Sequence, residues 1–121
     1  MAKVGFIEHK GARILSLDVS HSHSAEENIE AFQQAQALIL QQPPKSVRLL
    51  SDVTKAHYTT QAVDAMKQFS KTVTPHILAS AAVGVSGIKR IVLQSLIKLS
   101  GRHIEMFGDR EKALDWLAGQ L

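Results

Sequence analysis

Apolar and polar positions along the chain follow two periods, and the switches between them mark out the elements. Val4 to Glu8 and Arg13 to Asp18 read as strands, and His9-Lys10-Gly11-Ala12 between them is a short glycine-containing loop that suits an antiparallel hairpin. Ser24 with Glu27 three residues on matches a capping box. Ile29, Phe32, Ala35 and Ile39 then lie along one helical face until Pro43-Pro44 stops the helix. Val47 to Asp52 is a third strand. Thr59 and Thr60 stand where a cap opens a second helix bearing Ala62, Val63, Met66, Phe69 and Val73, and Pro75 ends it.

His76 to Val85 alternates again: Ile77, Ala79, Ala81, Val83 and Val85 point one way, and His76, Leu78, Ser80 and Ala82 the other. Gly87 to Ser100 is a third helix, closed by Gly101. At about 100° per residue Ile88, Ile91, Val92, Leu96 and Leu99 cluster as its buried stripe, while Leu93 and Ile97 fall to one side. Either a neighbouring helix covers Leu93 and Ile97, the commoner fate of such a pair, or, with neighbouring Leu96, they are the candidate interface for self-association or a protein partner and are expected to be partly exposed. His103 to Phe107 is the last strand. Asp109 caps a final helix whose buried stripe is Ala113, Leu114, Trp116 and Leu117. The order β-β-α-β-α-β-α-β-α predicts an α/β domain with four helices and a mostly parallel mixed sheet of about five strands in sequence order. Adjacent Leu49 and Leu50 mark the third strand as central. The half-polar alternation of the fourth and fifth strands points to a sheet covered unequally, with all helices on one face.

Composition narrows the class. A chain of 121 residues supports one core, so residues 1–121 are read as a single domain, and 45% hydrophobic with 21% charged residues argues against disorder. The absence of cysteine excludes disulfides, thiolate metal sites and cysteine nucleophiles. Met1-Ala2-Lys3-Val4 lacks the apolar stretch of a signal peptide and no run reaches membrane-spanning length, so a cytoplasmic location is expected. The net charge of +3 is mild, and the basic residues are scattered except for Lys89-Arg90 with Lys98 and Arg102 nearby, so nucleic acid is not indicated.

The candidate chemistry is sparse. Ser86 and Gly87 form a strand-to-helix turn whose backbone N–H groups can hold an anion, with Lys89 and Arg90 adding charge; capping of the helix by Ser86 is the competing structural reading. Asp52 at a strand end and His57 beyond it form a candidate acid/base pair, against which stands a turn-forming Asp52 and an exposed His57. His21-Ser22-His23 has too few further ligands for a zinc site, Gly84-Val85-Ser86-Gly87 is not a nucleophile elbow, and no cofactor or metal is expected.

The element order and these junctions resemble the SpoIIAA-like (STAS) superfamily over nearly the whole chain. Asp52-Val53-Thr54-Lys55-Ala56-His57-Tyr58 is similar to the family's opening after the central strand, and Val83-Gly84-Val85-Ser86 to Trp116 to its closing strand-helix-strand-helix. The likeness is closer to the uncharacterised STAS/SEC14-type bacterial branch, in Asp52-Val53-Thr54, Val83-Gly84-Val85-Ser86-Gly87, Phe107 and Ala113-Leu114-Asp115-Trp116-Leu117. The resemblance implies a non-catalytic regulatory or protein-binding module in a bacterial cytoplasm. Its alternative is a protein that binds a small apolar or lipid-like ligand, and a third is a small enzyme using Asp52 and His57. The family's antagonists carry a phosphorylatable Ser or Thr in an Asp-Ser-Ser-Gly-like turn at the start of the second helix. Here the stretch reads Tyr58-Thr59-Thr60-Gln61-Ala62, without that Asp or Gly, so Thr59 and Thr60 are phosphoacceptor candidates by position alone.

Overall fold

The computed structural model describes residues 3–56, 59–101 and 103–120, without the side chains of Ile88, Lys89, Leu96, Leu99 and Ser100. β1 (Lys3–His9) and β2 (Ala12–Asp18) form an antiparallel hairpin, turned at Lys10 and Gly11, whose φ values of 51° and 82° suit a tight turn matched to strand twist. β3 (Val47–Asp52), β4 (Ile77–Val83) and β5 (Glu105–Phe107) add in parallel to give the order β1-β2-β3-β4-β5, with β3 central as its sequence predicts.

α1 (Ala25–Leu40), α2 (Thr60–Val73) and α3 (Ile88–Ser100) connect the parallel strands, and α4 (Arg110–Ala118) follows β5. Crossovers that are right-handed and all step the same way across a sheet must put their helices on one face. α1 and α2 accordingly pack Phe32, Ala35, Ile39, Phe69 and Val73 on Leu15, Leu17 and Leu49, and α3 continues that layer with Leu93 on Ala82 and Ile104. α4 leads to no further strand in this sheet, so handedness does not constrain it. It covers the opposite face, where Ala113, Leu114 and Leu117 meet Ile14, Leu50, Ala79, Ala81 and Val83. The expectation that all helices share one face is thereby corrected. β4 is buried on both sides, and even its polar Ser80 is buried.

Local chemistry sets the ends. Ser24 accepts from the Glu27 amide at 3.2 Å, while the Glu27 carboxylate returns to the His23 amide at 2.8 Å, so the capping box is displaced by one residue. Asp109 accepts from the amides of Glu111 and Lys112, and Gly101 closes α3 in the left-handed conformation at φ 70°. α2 ends at Val73 and runs into a 3-10 turn, Thr74–His76, that contains Pro75.

Among the described side chains of α3, the expected phase fails at Ile91 and Leu93. Leu93 is 9% exposed and Ile97 half-buried, whereas Ile91 is 63% exposed. This helix carries apolar residues on almost every side, so periodicity admits two phases. Contact with Ala82, Ile104 and Met66 selects the one that buries Leu93. Leu93 therefore belongs to the core, and Leu96 lies outside the described side chains.

Candidate functional site

The loops at the C-terminal ends of the parallel strands are tied to one another, which makes this edge of the sheet a platform. The Val19 amide donates to Asp52 O at 3.0 Å, Val53 to Val83 O at 3.0 Å, His21 to Thr54 O at 2.9 Å and Gly84 to Phe107 O at 3.4 Å. Asp52 sets the first turn beyond β3: its Oδ1 accepts from the Thr54 amide at 3.1 Å and from the Thr54 hydroxyl at 2.7 Å. On the α4 side Arg110 donates to Ser16 Oγ at 3.1 Å and holds a second guanidinium nitrogen 3.8 Å from Asp52 Oδ2. The Asp52 carboxylate, buried in the rim, is thus committed to its own loop. His57, its candidate acid/base partner, lies outside the described residues.

Gly84 is the point of closest approach. Its φ is 79°, and a Cβ there would lie 2.6 Å from Thr54 Cα and closer still to Thr54 Oγ1, so only glycine lets the turn after β4 rest on the turn after β3. Around this contact lies a cleft of about 400 Å³ lined by Thr54, Lys55, Val85, Ser86, Arg90 and Gly108, among others. Two of the four residues proposed from sequence as an anion site, Ser86 and Arg90, line it. Gly87 is adjacent and exposed, and the Lys89 side chain lies outside the described residues. Capping by Ser86 is not what opens α3. Gly87 is the N-cap at φ 57° and makes no side-chain cap, which leaves the first-turn N–H groups without that partner. Lys55 is the basic lining residue that motif reading missed; the only signal was its place directly after Asp52-Val53-Thr54.

Thr59 and Thr60 separate in role. The Thr59 hydroxyl accepts from the Ala62 amide at 3.1 Å as the N-cap of α2, and Thr60, the first helical residue, is exposed. Beneath the helix layer lies a cavity of about 60 Å³, walled by Leu17, Phe32, Leu49, Met66, Phe69 and Leu93 and touched by the polar Ser51, Ser70 and Ser80. The rings of Phe32 and Phe69 stack across α1 and α2 at 5.5 Å.

His21 and His23 are exposed in the β2–α1 loop, ahead of the Ser24 cap. The donors that do converge, among the described residues, are His9, Glu111 and Asp115, with ligand atoms within 4.8 Å of one another. Lys10 Nζ already stands 2.9 Å from Asp115 Oδ1, beside His9 Nε2 at 2.7 Å. These contacts hold the Asp115 carboxyl below its ordinary value, the His9 hydrogen bond first and the Lys10 bond second, and they fasten the hairpin turn to α4.

The SpoIIAA-like family profile matches residues 14–118, from within β2 to the end of α4. The chain belongs to the SpoIIAA-like family. The fold agrees: an uncharacterised protein of the DUF3478 family with a SpoIIAA-like fold, from Shewanella loihica PV-4, superposes with a TM-score of 0.73 over 96% of this chain and 93% of its own. At 14% identity that likeness speaks for the SpoIIAA-like architecture alone. No curated protein matches. No helix among the described residues is long and apolar enough to cross a membrane.

Proposed function

We propose that this SpoIIAA-like chain is a non-catalytic, protein-binding module of the regulatory kind, and that the rim cleft receives an anionic group of its partner. The observation that carries the reading is the contact of Gly84 with Thr54, which joins two loops into one rigid edge around Lys55, Ser86 and Arg90. A preformed edge binds without the cost of ordering two loops, and the α3 N-terminus, opened by a glycine, adds backbone donors. Thr60 is the hydroxyl of the α2 pair open to a kinase, because the Thr59 oxygen is held as the cap. Phosphate there would sit at the positive end of the helix dipole and leave the fold intact. Mass spectrometry of protein from its native cells tests that role.

The rim is tested by titrating isotope-labelled protein with inorganic phosphate. The amides of Thr54, Lys55, Gly84 and Ser86 should shift together and saturate, and Lys55→Glu with Arg90→Glu should abolish the response. Shifts scattered over the surface would end the anion reading.

A second reading, a small apolar ligand, is favoured by the cavity beneath α1, α2 and α3. Its volume of about 60 Å³ is well below the roughly 150 Å³ of an engineered cavity that takes benzene, so a larger guest requires α3 to move outward. Broadening of Leu93 and Met66 methyl signals by a short-chain fatty acid, in preference to surface methyls, would support this reading over the first.

A further inference from the structure

Charge along this chain is divided more sharply than its total shows. Between Asp64 and Glu105 stand Lys67, Lys71, Lys89, Arg90, Lys98 and Arg102, with no aspartate or glutamate, whereas the rest of the chain sets eight lysines and arginines against eleven acidic residues. Besides β4, which carries no charge, the acid-free stretch lies in the helix layer. It supplies most of α2 and all of α3, neighbours in the helix layer, and Lys67, Lys71, Arg90 and Lys98 are all exposed there. α1, on the other side of α2, is the reverse: it carries Glu26, Glu27 and Glu30 and no lysine or arginine.

Ile91 stands in the basic part of the layer. It is 63% exposed and lines a shallow groove of about 390 Å³ with Gln94, Ser95, Ile97 and Lys98. An exposed aliphatic side chain beside half-buried Ile97, with polar and cationic groups around the pair, has the make-up of an interface anchor with its rim.

We propose that the outer side of α2 and α3 docks a protein bearing a bounded acidic patch around one apolar side chain. The apolar group seats on Ile91 and the carboxylates face Lys67, Lys71, Arg90 and Lys98. This inference rests on the protein-binding reading and adds the partner's chemistry and a second surface, which meets the rim only at Arg90. A basic face alone suits any polyanion, and α1 decides between them. Helices packed about 8 to 10 Å apart put α1 roughly 20 Å from α3, beyond the Debye length of about 8 Å, so the α3 cations do not screen Glu26 and Glu30. A bilayer or a long duplex laid over the layer would press phosphates on those glutamates. A compact protein with a limited acidic patch avoids them.

The probe is a fluorescent helical peptide of about 20 residues with glutamates flanking one central leucine, followed by anisotropy between about 50 and 200 mM salt. Saturable binding is expected, weakening at least about tenfold across that range. Ile91→Asp and the pair Lys67→Glu, Lys71→Glu should each lower affinity at least about tenfold, while Lys55→Glu at the rim leaves it within about twofold. Circular dichroism first establishes that each variant is folded, and Lys98→Glu, at the solvent side of α3, substitutes for Ile91→Asp if that one is not. Absence of binding, or binding indifferent to these variants, overturns the proposal. Loss with Lys55→Glu alone moves the partner to the rim, so the functional reading stands and this inference fails. Tighter binding to phosphatidylserine vesicles or duplex DNA, or a salt-sensitive dimer in sedimentation that Ile91→Asp dissolves, also overturns it and identifies the occupant as a membrane, a nucleic acid or a second copy.

Discussion

α3 and α4 cover opposite faces of the sheet, α3 toward the β5 edge and α4 across β2, β3 and β4, and they are held there by different means. α4 has nine residues and is tied at every turn: Asp109 caps it, Arg110 reaches Ser16, Asp115 takes His9 and Lys10, and the Leu117 carbonyl accepts from Arg48 Nε at 3.1 Å. α3 has thirteen residues, opens at an uncapped glycine, and rests on Leu93 and Ile97. A helix as short as α4 buries too little area to hold itself, so polar ties complete it and consume its surface. α3 is long enough to hang on its apolar stripe, and its cationic side is left for other uses.

Gly84→Ala should have the largest effect, because Gly84 joins the α3 side of this comparison to the rest of the rim. The new methyl meets Thr54 backbone at a φ of 79°, which combines left-handed strain with overpacking and predicts a loss of about 3 kcal/mol or more. Urea unfolding measures it. A midpoint equal to that of the parent would mean that the two turns part freely and the rim is not rigid.

The two helices are compared directly by truncating their buried leucines. Leu117→Ala removes a side chain with no exposure from the α4 core and should cost about 3 kcal/mol. Leu93→Ala, beside an existing cavity and at 9% exposure, should cost about 2 kcal/mol. A Leu93→Glu, Ile97→Lys variant is expected to unfold rather than to lose association. If Leu93→Ala costs no more than a surface change, α3 is not held by this stripe.

Capping sharpens the contrast at smaller scale. Asp109→Ala removes an acceptor of two first-turn amides and should cost about 1 kcal/mol in thermal unfolding. α3 offers no side-chain cap to delete, so Ser86→Ala should leave stability within about 0.5 kcal/mol. A larger loss at Ser86 would show that it supports the turn after all.

What was legible in the sequence depended on neighbours along the chain. The hairpin at Lys10-Gly11, the caps at Ser24, Thr59 and Asp109, and the left-handed Gly101 all rest on chemistry within four residues. The side of the sheet chosen by α4 was not legible, because no crossover rule governs a helix that leads to no further strand. The phase of α3 was hidden by its own excess of apolar residues. The Gly84 contact joins turns thirty positions apart, which no local pattern encodes. The acid-free run from residue 65 to 104 was present in the letters, but total charge averages it away, and it acquires meaning only once α2 and α3 are known to be neighbours.

The smallest effect belongs to the hairpin end of α4 and is a pH dependence. The His9 and Lys10 bonds hold the Asp115 carboxyl below its ordinary value of 3.8, so the folded chain binds that proton less readily than the unfolded one. Its contribution is therefore fully present above about pH 4 and is lost as pH falls through the lowered folded value. Asp115→Asn should unfold at a slightly lower temperature than the parent near pH 7. That gap should shrink as both are acidified below the ordinary carboxylate range, because the parent then loses what the variant already lacks. Because the group is exposed, salt should narrow the neutral-pH gap as well. A gap that stays constant from neutral to strongly acid solution would mean that Asp115 is a bystander, and that α4 is fixed at this end by Leu117 and Arg48 alone.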